Sequence, residues 1–265
     1  MRRYPAQDLE PAVRDPKKLR RTALILVGIM AVGAIGILIA YNRDAARRAD
    51  DERPALVARL DTRKDLKVWR QDETEAGLLD LAGDVFLVAP VCFAEPEGWE
   101  TTRSVLLELG ERYGDRGDFH LVCITVDPEN EPPAELAKFA EELGAELPFW
   151  WLVATRDEST HKFLKNELKA GILPHRDGDR WVYDPSLVLV DRDRHLRQPT
   201  IRARKPDGKE LNYRNRVPFD FEQAAKWDAE GRAEGLEKSN VDTLRELLFQ
   251  TIDELLATPA KHEQG

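Results

Sequence analysis

Cysteine is scarce in this sequence, and several familiar catalytic motifs are missing. The 265 residues include two cysteines, Cys92 and Cys123. Two cysteines cannot supply the larger even set of disulfides that holds a small secreted scaffold together. The sequence also lacks a phosphate-binding glycine loop, a zinc-protease signature and a pair of catalytic acids. These absences exclude a disulfide-rich scaffold and favour a role other than that of an enzyme.

Net positive charge is confined to the N-terminal region of the chain. The formal net charge is −9, yet residues 1–21 carry seven basic and three acidic side chains, so the remainder carries −13. An acidic surface of this size repels nucleic acid, and we therefore expect no nucleic acid partner. About 210 residues follow the N-terminal region, enough for one compact domain with a full hydrophobic core.

One long hydrophobic run is present. Residues 22–41 contain no charged side chain, and a helix rising about 1.5 Å per residue would cover the ~30 Å hydrocarbon layer with such a run. A secretory signal peptide is the alternative, but its apolar core has about 7 to 15 residues and ends at a small-residue cleavage site. Seven basic residues precede the run, and three follow it within residues 42–48. The asymmetry predicts an uncleaved anchor with its N-terminus in the cytoplasm.

Hydrophobic periodicity after residue 70 predicts an α/β domain with a layered sheet. Short apolar runs alternate with segments that place apolar residues on one helical face, so the first two strands form a parallel pair joined by a helix. Trp150 and Trp151 are expected in the core, one on each face of a strand. The predicted strands are 85–91, 119–126, 147–153, 186–190 and 195–202, and the predicted helices are 100–113, 133–144, 157–169 and 240–257.

Three motifs follow one another along the predicted domain. They are the Cys92 loop after a strand, the Val-Asp-Pro-Glu segment at 126–129 before a helix, and Asp-Pro-Ser at 184–186 before a strand. Their order and spacing resemble the Sco/SenC family of membrane-anchored copper proteins. The resemblance covers residues 75–197 and the final helix. It implies a thioredoxin-like fold and a role in maturing the copper centre of a respiratory cytochrome oxidase. With the N-terminus in the cytoplasm, the soluble domain is expected on the outer or periplasmic side of the inner (cytoplasmic) membrane.

The resemblance also implies a copper site, and this sequence departs from it. The family binds copper through a Cys-x-x-x-Cys loop and a histidine just before the Asp-x-Ser strand, because thiolate sulfur selects Cu(I). Here Pro96 stands at the second cysteine position and Pro185 at the histidine position. Proline offers no donor atom in its side chain. One ligand, Cys92, remains, so no bound cofactor is predicted and copper is kept as an alternative.

Other residues near the predicted site have two interpretations each. His175 is a candidate second ligand beside Cys92, or else a solvent-facing loop residue. His120 and Cys123 lie in a predicted core strand, where a cysteine acts as a small hydrophobic side chain. Cys92 itself could be a thiolate activated by a helix N-terminus, but Glu95 and its acidic neighbours oppose the charged form. We favour a chemically quiet cysteine.

Residues 198–239 form a charged insertion between the last predicted strand and the final helix. The insertion is interpreted either as a docking surface for a membrane complex or as a surface excursion. In the second case, a short helix near 220–234 packs back through Phe221, Ala224, Ala225 and Trp227.

The sequence therefore predicts five segments and a leading function. The function is a membrane-anchored assembly or scaffold factor whose partners are oxidase subunits. The alternatives are a copper chaperone with an unorthodox site, a single-cysteine thiol oxidoreductase, and a tethered binding module without a respiratory role. The segments are a basic tail (1–21), a membrane span (22–41), a tether leading into the domain (42–70), the domain (71–258, with the insertion 198–239) and a C-terminal tail (259–265).

Overall fold

The computed structural model describes residues 15–49, 54–156, 159–204, 210–232 and 237–260. The chain divides into two compact units at residue 53. The described part of the N-terminal unit is a single helix, and the second unit is an α/β domain.

The N-terminal unit is helix α1 (Pro16–Ala49). It begins at Asp15, whose side chain accepts a hydrogen bond from the backbone N–H of Lys17 at 2.9 Å and caps the first turn. The segment Pro16–Arg43 is long and apolar enough to cross a membrane. The helix extends beyond the predicted span into residues 42–49, which were predicted as part of a tether.

The second unit contains twelve strands and five helices among its described residues. In chain order they are β1 (Ala55–Arg59), β2 (Lys67–Arg70), β3 (Glu75–Gly77), β4 (Val85–Val91), α2 (Glu100–Tyr113), β5 (Phe119–Thr125), α3 (Pro133–Leu143), β6 (Trp150–Ala154), α4 (Ser159–Asn166), β7 (His175–Asp177), β8 (Arg180–Val182), β9 (Val188–Val190), β10 (His195–Gln198), β11 (Thr200–Arg204), β12 (Glu210–Arg216), α5 (Phe221–Ala229) and α6 (Asn240–Ala257).

Eight of these strands form one mixed sheet in the order β1-β10-β9-β4-β5-β6-β2-β3. The central strands β4, β5 and β6 are parallel, and α2 and α3 connect them. Strand β9 pairs antiparallel with the other side of β4. The predicted α/β layered sheet is confirmed.

The sheet is buried on both faces because its central strands are continuously apolar. In β4 the side chains alternate between two core clusters: Leu87 packs with the helices α2, α3 and α6, whereas Val88 packs with Leu164 of α4. Trp150 and Trp151 also fall in different clusters. Their predicted positions on opposite faces are confirmed.

Several predicted boundaries differ from those of the structure. Strands β1 and β2 lie within the range 42–70, so the sheet begins at Ala55 rather than after residue 70. The β7–β8 hairpin was not predicted. The single strand predicted at 195–202 is two strands, β10 and β11, separated at Pro199, which has no N–H to donate to a ladder. Helix α4 is shorter than the predicted 157–169, and residues 157 and 158 lie outside the described residues.

The insertion 198–239 is partly built into the core. It contains the β11–β12 hairpin and α5, while residues 205–209 and 233–236 lie outside the described residues. Phe219 and Phe221 are 0% exposed and Ala224 is 2% exposed. Of the four residues expected to pack back on the domain, Ala225 is half-buried and Trp227, at 39% exposed, is the most exposed.

Candidate functional site

Cys92 lies at the carboxyl end of β4, where the buried strand gives way to a loop. The backbone N–H of Glu95 donates to the Cys92 carbonyl at 3.2 Å and closes a turn. A short 3-10 turn, Pro96–Gly98, follows before α2 begins. Cys92 is 1% exposed. The cysteine loop, residues 92–99, therefore holds its thiol inside the domain.

The partner of the thiol is Glu131, a carboxyl group that is itself buried. The Cys92 thiol donates a hydrogen bond to Glu131 Oε1 at 3.7 Å, and the Ala94 backbone N–H donates to the same oxygen at 2.7 Å. The Thr125 hydroxyl donates to Oε2. Burial raises the pKa of Glu131, although the bonds from Thr125 and Ala94 oppose the shift. One side chain thus connects the cysteine loop to β5.

The surroundings of Cys92 disfavour its thiolate. Burial raises the pKa of Cys92 to about 12, and the negative charges of Glu131, Glu95 and Asp127 add to the shift. An unperturbed cysteine has a pKa of about 8.5. The thiol is therefore protonated at neutral pH, unlike the activated thiolates of redox enzymes.

The β7–β8 hairpin packs beside the cysteine loop. Arg176 Nη2 donates to Asp127 Oδ2 at 2.6 Å, and its guanidinium carbon lies 4.8 Å from the centre of the Trp181 ring. The backbone N–H of Trp181 donates to the Glu95 carboxylate at 3.2 Å. Trp181 packs against the same core cluster as Cys92. The hairpin is therefore fixed both to the loop and to the turn after β5.

The first turn of α2 is occupied by a carboxylate from the insertion. Glu222, in the first turn of α5, accepts a hydrogen bond from the Thr102 backbone N–H at 2.8 Å. A helix N-terminus attracts negative charge, and here Glu222 supplies that charge. The hypothesis that this helix end activates Cys92 receives no support from these contacts.

The other residues considered from the sequence have separate surroundings. His175 begins β7, is exposed, and its Nδ1 hydrogen bonds with the Leu173 carbonyl at 3.0 Å. Pro185 lies in the loop before β9. His120 contacts the Pro148 carbonyl and Asp84 at the other end of the sheet. Among the described residues, Cys92 and His175 share no hydrogen-bond partner.

Cys123 is 0% exposed within β5. The Trp150 indole N–H donates to its sulfur at 3.2 Å, and burial raises the pKa of Cys123 to about 12. The sulfur thus lies in the core cluster that packs against α2, so its alkylation would report opening of the core.

A second group of potential metal ligands occurs in the turn between β9 and β10. Ligand atoms of Asp191, Asp193 and His195 lie within 4.8 Å of one another. However, Asp191 accepts hydrogen bonds from the N–H groups of Asp193 and His195 at 2.9 Å and pairs with Arg197 at 2.7 Å. A cation would compete with a buried guanidinium, so we interpret this group as the closure of a turn.

Comparisons with known proteins give a match at the level of structure. No protein-family model matches the sequence, and no curated protein matches it. A SCO1/SenC family lipoprotein from Bacillus anthracis superposes with a TM-score of 0.51 at 15% identity, covering 76% of this chain and 99% of that one. The chain has the Sco/SenC fold. The thioredoxin-like fold predicted for the domain is thereby confirmed.

Two further solved structures resemble the Sco-like domain more distantly. BsSco, a member of the Sco family of cytochrome c oxidase assembly proteins, has a TM-score of 0.45 at 20% identity, covering 56% of this chain and 86% of that one. Bradyrhizobium japonicum ScoI, solved with copper bound, has a TM-score of 0.41 at 17% identity, covering 70% and 97%.

Sequence reasoning missed the two side chains that contact the site from a distance along the chain. Glu131 lies 39 positions after Cys92, and Glu222 lies 120 positions after Thr102. For Glu131 one signal was available, because an acidic residue sits in the short link between a buried strand and Pro133, which begins α3. Nothing in the local pattern of Glu222 distinguishes it from an ordinary helix surface residue.

Proposed function

We propose that this protein is a membrane-anchored assembly factor for a respiratory cytochrome oxidase and that it binds its partners without holding copper. The closed state of Cys92 carries the proposal: its thiol is 1% exposed and hydrogen bonded to a buried carboxyl group. A copper ligand must instead present a deprotonated sulfur to the ion.

The donor set around Cys92 does not fit a copper ion. Copper(I) selects soft sulfur ligands, and two or more donors must converge to close a site. Pro96 and Pro185, at the positions of the other two family ligands, have no donor atoms in their side chains. Glu95, Asp127 and Glu131 supply carboxylate oxygens, which suit hard cations. The fold is retained while the soft ligands are not.

Anchoring through α1 supports a role at a membrane. Pro16–Arg43 has the length and composition of a span, and basic residues are concentrated before it. By the positive-inside rule, the domain would lie on the outer or periplasmic side of the inner membrane.

Copper binding by the purified full chain in detergent tests the proposal directly. Cu(I) is titrated under reducing conditions in competition with a chelator of known affinity, with Cys92→Ala as the matched control. We expect equal, weak binding by both proteins. Stoichiometric binding that Cys92→Ala abolishes would overturn the copper-free assignment and establish a chaperone.

The assembly role needs a separate experiment. The tagged full chain is purified from membranes of its native host, and oxidase subunits are identified by mass spectrometry, with the isolated α1 helix fused to the same tag as control. We expect oxidase subunits to copurify with the full chain alone. Normal oxidase activity and content in a deletion strain would contradict the assembly role.

A further inference from the structure

The five residues Asp127–Glu131 after β5 form a turn, called here the acid turn. The Glu131 backbone N–H donates to the Asp127 carbonyl at 2.9 Å, and the Val126 N–H donates to the Val91 carbonyl at 2.8 Å. The acid turn is therefore fixed to the end of β4, one residue before Cys92. Two of its three acidic side chains, those of Asp127 and Glu131, contact different segments of the domain.

Glu131 holds the cysteine loop. Its Oε1 atom accepts from the Cys92 thiol and from the Ala94 N–H, while Oε2 accepts from Thr125. Glu131 is 1% exposed. A buried carboxyl group with several partners is costly to leave unsatisfied, so its bonds resist displacement of the loop.

Asp127 holds the β7–β8 hairpin. Its side chain is 7% exposed and pairs with Arg176 at 2.6 Å. Asn130 Nδ2 also donates to both carboxylate oxygens at 3.0 Å, which orients the group toward the hairpin. A second hairpin pair, Arg180 with Glu97, spans 3.8 Å with side chains 81% and 89% exposed. An ion pair as exposed as the second one contributes little to stability.

We propose that the acid turn is a metal-free clamp, in which Glu131 fixes the cysteine loop and Asp127 fixes the β7–β8 hairpin, so that the two segments stay closed over the Cys92 thiol. A shared metal ion would join two such segments through its ligands; here hydrogen bonds and ion pairs join them. The clamp depends on the proposed function in one respect: it requires that no copper ion joins the two segments.

Alkylation of the full chain in detergent measures how often the clamp opens. Cys92 and Cys123 are labelled with N-ethylmaleimide under native conditions, and each site is quantified by mass spectrometry over time. Labelling of a buried thiol follows the population of the open form. We expect Arg176→Gln to raise the Cys92 rate about tenfold or more, because a charge-assisted bond to a buried carboxylate is lost. The matched control Arg180→Gln should label at the wild-type rate.

Two variants of Glu131 test the other half of the clamp. Glu131→Gln retains an oxygen acceptor for Ala94 and an amide that reaches Thr125, so its Cys92 rate should stay within about twofold of the wild type. Glu131→Ala should raise the rate about tenfold. We therefore expect Glu131→Gln to keep the closed state and Glu131→Ala to lose it.

Two results would overturn the clamp. One is an equal Cys92 rate in Arg176→Gln and Arg180→Gln. The other is an equal rise at Cys92 and Cys123 in Arg176→Gln, because opening would then be global rather than local. Neither result bears on copper binding. If the clamp fails, the chelator competition can still show weak binding. If the wild type binds copper tightly, the proposed function is overturned even when the alkylation rates stay as expected.

Discussion

Replacing Phe221 with alanine should destabilise the domain by about 3 to 5 kcal/mol. Phe221 is 0% exposed and packs in the core cluster that contains Val105 of α2 and Leu248 of α6. Its ring belongs to the insertion, yet it fills space between two helices of the central fold. Truncation loses the transfer free energy of the ring and leaves a cavity that the neighbouring helices can fill only in part.

The measurement is thermal and urea unfolding of the full chain in detergent, followed by circular dichroism of the α/β domain. At about 2 to 4 °C per kcal/mol for a domain of this size, the midpoint should fall by roughly 6 to 20 °C. Trp227→Ala is the matched control from the same helix, because Trp227 is 39% exposed and its truncation should cost clearly less than that of Phe221. Equal small shifts for both variants would refute the view that α5 is part of the core, and would favour a detachable docking arm.

Three further predictions address the site and its support. Restoring the family donors with Pro96→Cys and Pro185→His should create Cu(I) binding in the chelator competition; a double variant as silent as the wild type would show that these are not the ligand positions. The alkylation rate of Cys92 should rise with pH through the whole range in which the protein stays folded, because its pKa is about 12; a plateau above about pH 8.5, as for an ordinary thiol, would contradict its burial. Arg197→Met should lower the free energy of unfolding by about 3 to 5 kcal/mol in urea, because the Asp191 carboxylate loses its buried partner at 2.7 Å. A decrease below about 1 kcal/mol would show that the pair contributes no more than a surface ion pair.

The helices of the central fold could be predicted from sequence because their ends carry local signals. Residues 100–113 and 240–257 were predicted as helices, and α2 and α6 have these bounds. The side chain of Ser239 accepts from the Asp242 N–H at 3.0 Å and caps α6. Gly144 ends α3 with a φ of +65°, a conformation that glycine adopts without strain.

The strands that were missed lack such signals. In β7 all three residues are exposed, and β1 alternates only weakly between half-buried and exposed positions. Both are short strands that depend on a partner strand rather than on an apolar face of their own. Their pairing is a consequence of the assembled sheet, so it cannot be predicted from the pattern of a single sequence.

The same distinction applies to the site. The position of Cys92 follows from its place between a buried strand and a helix, which the apolar run of β4 makes visible. The role of Glu131 does not follow, because a glutamate is seldom fully buried and its burial here depends on the cysteine loop, β5 and the acid turn meeting at one point. Sequence reasoning identified Cys92 but not the buried carboxyl group that accepts a hydrogen bond from its thiol.

The proposed absence of copper is compatible with the Sco-like fold because a domain with a full hydrophobic core needs no metal for its stability. A metal site contributes to folding mainly in domains too small to bury a sufficient core. Here the central strands β4 and β5 are fully buried along their length, and the insertion adds Phe219 and Phe221 to one of the two core clusters. In the proposed clamp, a carboxyl group in the acid turn joins the cysteine loop to the rest of the domain, so that proline at both ligand positions leaves the site closed. On that proposal, the protein acts through the surface of its domain rather than through sulfur chemistry.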